Sequence, residues 1–237
     1  MDRLVASPER TLQQLERALD AGDEAAARRS LEVLRVRAPG SWERSWAEVL
    51  WGETRDDADA TEAALDNHAR RWPEDAEARH RLGGLLFARD RLDAAVAHWL
   101  AVRALDAEAD ERAGRVDAEL EDFVARTARQ ALEALPEPFL SELGPVPVIL
   151  EERPSEALVR GGFDPRALGL FEGPDRAALH GLETPPQITR IVLFVANLCA
   201  EFPTDDELAH EVEVTVRHEV GHYFGLDEDD MTRLGLD

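Results

Sequence analysis

The stretch His218-Glu219-Val220-Gly221-His222-Tyr223-Phe224-Gly225-Leu226-Asp227-Glu228 reads as His-Glu-x-x-His, then a glycine and two adjacent carboxylates. On an α-helix, residues four apart lie on one face a turn apart, so His218 and His222 can grip a single metal ion. Glu219 sits one step round the helix, where it can reach a water at the metal without being a ligand. Zinc suits such a pair, because imidazole is a good ligand and a catalytic centre keeps one position open for water. Gly225 can end the helix in a left-handed turn and send the chain back to present a third ligand. Sites of the form His-Glu-x-x-His-x-x-Gly-x-x-(His or Asp) place that ligand ten residues after the first histidine, which is Glu228. Asp227, one residue earlier and shorter, is the alternative.

The helix is legible upstream as well. Thr204-Asp205-Asp206-Glu207 has the form of a capping box. From there to Phe224 only Gly221 interrupts the run, and Leu208, Val212, Val216 and Val220 recur every four residues as an apolar stripe. Two histidines and a glutamate beside a buried stripe are costly unless something pairs with them, and a metal would do so.

Further back, Ile188–Val195 is the strongest strand signal, β-branched and apolar throughout its second half. Leu168–Gly173 and Val146–Glu151 are the other strands, the latter placed at an edge by Pro147. Gly161–Pro165 and Gly173–Gln187 read as loops, and 113–135 as a helix carrying Phe123, Val124, Ala128 and Ala131 on one face. The order helix, strand, strand, strand, helix makes this half α+β.

Residues 1–112 are helical in pattern, rich in alanine, leucine, glutamate and arginine. A 34-residue register aligns Pro39, Pro73 and Ala107; Leu31, Leu65 and Trp99; and Ala27, Thr61 and Ala95. Residues 76–109 carry a Leu82-Gly83 pair, a small residue and an aromatic, and so resemble the tetratricopeptide repeat. The earlier units lack the Leu-Gly pair, and the polar stretch Arg55–Ala60 interrupts the middle one. Such an array implies a groove for a peptide or protein partner; a helical cap packed on the second half is the other reading. All five tryptophans fall here, which fits packing between helices.

The net charge is −23 and every Lys-or-Arg position is arginine. That balance opposes nucleic acid and anionic membrane surfaces. The apolar run Ile191–Ala200 is too short to span a bilayer and is broken by Asn197. Cys199 is alone, as befits a reducing compartment, and Met1-Asp2-Arg3-Leu4 lacks the basic-then-apolar form of a signal peptide. The expectation is a soluble, cytoplasmic protein.

The C-terminal half, roughly 116–237, resembles the small bacterial zincin-like metallopeptidases, or minimal metalloproteases. The carrying residues are Ala134-Leu135-Pro136-Glu137-Pro138-Phe139, Val146–Ile149, Leu168–Phe171, Arg190–Phe194 and His218–Gly225. The resemblance implies a compact zincin fold whose sheet has an upper-edge strand beside the metal helix, with Ile188–Val195 as the candidate edge. It further implies zinc held by His218, His222 and Glu228 (Asp227 in the alternative), Glu219 as general base, and peptide or protein substrates. Family members usually carry aspartate where this chain has Glu228. Of the remaining histidines, His210 is about 12 Å up the helix axis from His218. His180 lies in a loop, and His68, His80 and His98 lack ligand spacing. The competing function is an adaptor whose repeats bind a partner while the zincin half is structural.

Overall fold

The structure is a computed structural model that describes residues 7–137, 139–143, 146–173 and 190–234, without the side chains of Glu228 and Leu234. The chain forms two compact units, Met1–Leu105 and Asp106–Asp237. No helix among the described residues is long and apolar enough to cross a membrane.

The first unit holds α1 (Pro8–Asp20), α2 (Glu24–Arg37), α3 (Trp42–Thr54), α4 (Ala58–Arg71), α5 (Ala76–Ala88) and the start of α6 (Leu92–Ala113). The odd helices start 34 residues apart, and so do the even ones. Each turn inside a pair repeats the same device: Gly22, Asp56 and Asp90 take positive φ, at 68°, 52° and 58°. Side-chain caps recur in step, with Ser7, Ser41 and Asp75 opening the odd helices and Asp23 and Asp57 opening α2 and α4. The polar stretch Arg55–Ala60 is therefore the turn and cap between α3 and α4, not a break in the pattern.

In the core of this unit Ala27, Thr61 and Ala95 are buried in register, as are Leu31, Leu65 and Trp99. Gly83 makes room for the last of these, since a Cβ there would stand 2.3 Å from Trp99 Nε1. His68, fully buried, lies edge-on to Trp42 and Trp46 and 4.7 Å from the Trp72 ring. Its Nε2 meets Asp75 Oδ2 at 2.9 Å, and Trp42 Nε1 donates to the same oxygen at 2.9 Å.

The second unit contains α7 (Ala118–Glu133), α8 (Phe139–Leu143), β1 (Val148–Glu151), α9 (Glu156–Arg160), β2 (Gly169–Glu172) and β3 (Arg190–Phe194). It closes with α10 (Val195–Glu201), α11 (Asp205–Tyr223) and α12 (Glu228–Leu234). The sheet order is β1-β3-β2, with β1 parallel and β2 antiparallel to β3. The strand expected at the cleft edge is thus the central one. Ile191 through Phe194 are at most 1 % exposed, covered on both faces, which is what an unbroken apolar run without alternation signifies. The edge beside α11 is β2, half-buried along its length. Ile188 and Thr189 lie outside the described residues, and Val195 opens α10 instead of ending the strand. The stripe Leu208, Val212, Val216 and Val220 is buried as the sequence predicts, and α11 packs against α7, α10, β2 and β3.

Candidate metal centre

Thr204 starts α11: its hydroxyl accepts from Glu207 N–H at 3.3 Å and donates to Glu207 Oε2 at 2.7 Å. Asp205, Asp206 and Glu207 complement the positive end of the helix. At the far end Gly225, φ 74°, closes the last turn. Leu226 N–H donates to Gly221 O at 3.1 Å and Gly225 N–H to His222 O at 3.0 Å, a Schellman pattern.

The chain then turns into α12. Asp227 caps it, accepting from Asp230 N–H at 2.8 Å through Oδ1, and is itself exposed. Met231, fully buried, returns beneath α11: a Cβ on Gly221 would stand 2.7 Å from its Sδ. Gly221, inside the His-Glu-x-x-His motif, is small because that thioether occupies the space a side chain would need. The sequence signalled only the glycine, not its partner.

On the cleft face His218 Nε2 and His222 Nε2 lie 3.1 Å apart with their rings nearly perpendicular at 87°. Two imidazole nitrogens bound to one zinc ion at about 2.0–2.1 Å each, at the tetrahedral angle, would stand about 3.3 Å apart. The donor pair fits that ion. Glu219 is buried at 7 % exposure and faces β2, its Oε1 3.1 Å from where a Cβ on Gly169 would be. Tyr223 points elsewhere and packs on Phe171, ring centroids 5.7 Å apart.

These residues open onto a cleft of about 500 Å³ between α11 and β2. Its other wall is the segment 163–168, apolar through Phe163 and Leu168. That segment is pinned from below. Asn197, in α10, donates to Pro165 O at 3.0 Å and Ala167 O at 2.6 Å, and accepts from Arg153 Nη1. Arg153, 8 % exposed, also donates to Asp110 Oδ2 at 2.5 Å, and Arg166 forks onto Asp106 at 2.8 and 3.1 Å. Sequence reading missed this network. The available signal was Asn197 itself, a polar residue in an apolar run that is expensive to bury without partners.

Of the expected site residues, His218, Glu219 and His222 are together at the cleft. Asp227 is engaged as a cap, and the side chain of Glu228 lies outside the described residues. Among the described residues no three of His, Cys, Asp or Glu gather as a metal-binding group. His210 is exposed, His180 is outside the described residues, and His68 is in the core of the first unit. Cys199 is buried, and burial pushes its thiol up to about 11, away from reactivity.

No curated protein matches the chain. Residues 143–236 match the family model for zincin-like metallopeptidases, a span that takes in the whole sheet, the cleft walls and the His-Glu-x-x-His helix.

Proposed function

We propose that the chain is a zinc-dependent metallopeptidase. One observation carries the reading: two Nε2 atoms converge at 3.1 Å beside a buried glutamate on a cleft of about 500 Å³. His218 and His222 would hold the ion, with Glu228 as third ligand. Asp227 is the alternative, but its Oδ1 is already taken by Asp230 N–H, which favours Glu228. Held there, zinc would supply acidification of a bound water and polarisation of the scissile carbonyl. Glu219 takes a proton from the attacking water as the new C–O bond forms, and delivers it to the leaving amine nitrogen as the C–N bond breaks. β2, the sheet edge at the cleft, offers its backbone for a substrate to add as a strand.

The second reading is an adaptor, and the 34-residue spacing of three helix pairs favours it. On that view the tetratricopeptide-like half, 1–112, binds a protein partner and the zincin-like half, 116–237, is structural. Glu219 argues against it, because a domain kept only for folding needs no base beside the histidines. Either way the setting is reducing and cytoplasmic, with no part for nucleic acid or membrane.

The deciding experiment is elemental analysis of the purified full chain after incubation with zinc, for wild type, His222→Ala and Glu219→Gln. We expect near-stoichiometric zinc in wild type and Glu219→Gln and little in His222→Ala. No zinc in wild type would overturn the enzyme and move the adaptor to first place.

A further inference from the structure

Glu211 stands in the cleft wall on the same face of α11 as Thr215, His218, Glu219 and His222. It forms no hydrogen bond or salt bridge with any described residue; its charged neighbours are Glu201 and His210. The residues four before and four after it are Glu207 and Thr215, so its own helix face supplies no arginine, and its only cationic neighbour there is the exposed His210. Glu213, two positions on, differs by pairing with Arg217 at 3.1 Å. Burial first, and then the nearby Glu201 charge, raise the Glu211 carboxyl above its ordinary range, with His210 acting the other way. Among the described residues the cleft therefore carries a half-buried carboxylate beside apolar walls, Phe163, Leu168 and Val214, with no arginine paired to it to offset its desolvation.

Its place along the cleft follows from two contacts. Gly169 lies against Thr215 and Glu219, and Phe171 lies against Tyr223, so β2 and α11 run in the same direction. Backing along the chain from Gly169 to Ala167 leads toward Glu211. A peptide adding antiparallel to β2, the commoner pairing, runs the other way, and its residues after the cleaved bond lie over the Glu211 end. Glu211 is seven residues before His218, about 10 Å along the axis. An extended chain advances about 3.3 Å per residue. The apolar stem of an arginine or lysine, lying along the cleft wall, covers the rest of the distance.

Resting on the peptidase reading, we propose that Glu211 is a specificity residue that selects substrates with arginine or lysine one or two residues after the scissile bond. The chain's net charge of −23 favours the approach of such cationic peptides.

The test is cleavage-site profiling of a mixed peptide library with zinc-supplemented full-length protein, as wild type, Glu211→Gln and Glu211→Arg. In parallel, equilibrium binding of matched Arg-, Gln- and Glu-containing peptides is measured on Glu219→Gln, which holds peptides uncut. Wild type should enrich Arg and Lys on the leaving-amine side. Glu211→Gln should cut the Arg-over-Gln preference by about two- to fivefold, the scale of a partly exposed charge pair, and Glu211→Arg should turn it toward acidic residues. The same preference in wild type and Glu211→Gln would overturn the assignment while leaving the peptidase standing. Neither cleavage nor binding of any peptide by a zinc-loaded protein would overturn both.

Discussion

Asp75 is held ionised by its surroundings. Burial pushes its carboxyl up, but bonds from His68, Ala78 N–H and Trp42, with the charge of His68, outweigh that and bring it from 3.8 to about 2. A folded-state pKa below the unfolded value adds stability that is present above 3.8 and lost as pH falls toward about 2. All five tryptophans lie in the first unit, so their fluorescence follows that unit alone. Wild type should melt above Asp75→Asn at neutral pH, with the gap closing across that acid window; a gap constant with pH would remove the ionic contribution. At this scale the sequence spoke through local spacing. His218, Glu219 and His222 were legible because a helix sets their geometry by itself. The partnership of Asn197 and Arg153 was not, because the two are 44 residues apart and only the folded chain joins them. The choice between Glu228 and Asp227 gained one physical argument from the structure, the use of Asp227 as a helix cap.

Among the elements, α11 was read with its cap, stripe and terminator because each is a short-range signal. The sheet was harder. Ile191-Val192-Leu193-Phe194 marked a strand, but its lack of alternation meant burial on both faces and hence a central position, while the weaker Gly169–Glu172 became the edge. The strand expected at the cleft edge, Ile188–Val195, therefore contains the central strand of the sheet. Gly169 is the close approach that seats β2 on α11: a Cβ there would stand 2.7 Å from Thr215 Cγ2 and 3.1 Å from Glu219 Oε1. Gly169→Ala should therefore cost about 1–3 kcal/mol by overpacking. On the proposed peptidase reading it should also lower kcat more than it raises KM, because Glu219 is displaced while the rest of the cleft persists. On the same reading zinc content should stay at the wild-type level, which separates displacement of the proposed base from loss of the proposed ligands. Unchanged kcat with lowered stability would assign Gly169 to packing alone.

Across the whole molecule, a repeat that looked degraded in residue identities is regular in backbone, because turn geometry and caps recur where side chains do not. Gly22, Asp56 and Asp90 share a positive φ although glycine stands at the first and aspartate at the other two, and Gly83 with Trp99 occupies the buried register positions that Val49 and Leu65 hold one unit earlier. The division between units was less legible, because α6 runs unbroken across it. The compact C-terminal unit begins at Asp106, upstream of where composition changes, and within it Asp106 and Asp110 neutralise the buried Arg153. A fragment spanning 106–237 should then fold cooperatively, whereas 113–237 leaves that guanidinium with Asn197 alone. Removing the partners of a buried charge costs about 3–5 kcal/mol, a large share of the roughly 5–15 kcal/mol a domain possesses. Urea denaturation followed by far-ultraviolet circular dichroism should place the shorter fragment lower by that amount, and Arg153→Met should recover part of the loss in 113–237 only. Equal stability of the two fragments would mean that water reaches Arg153 once α6 is cut, and that the two aspartates orient the 163–168 wall without holding the unit together.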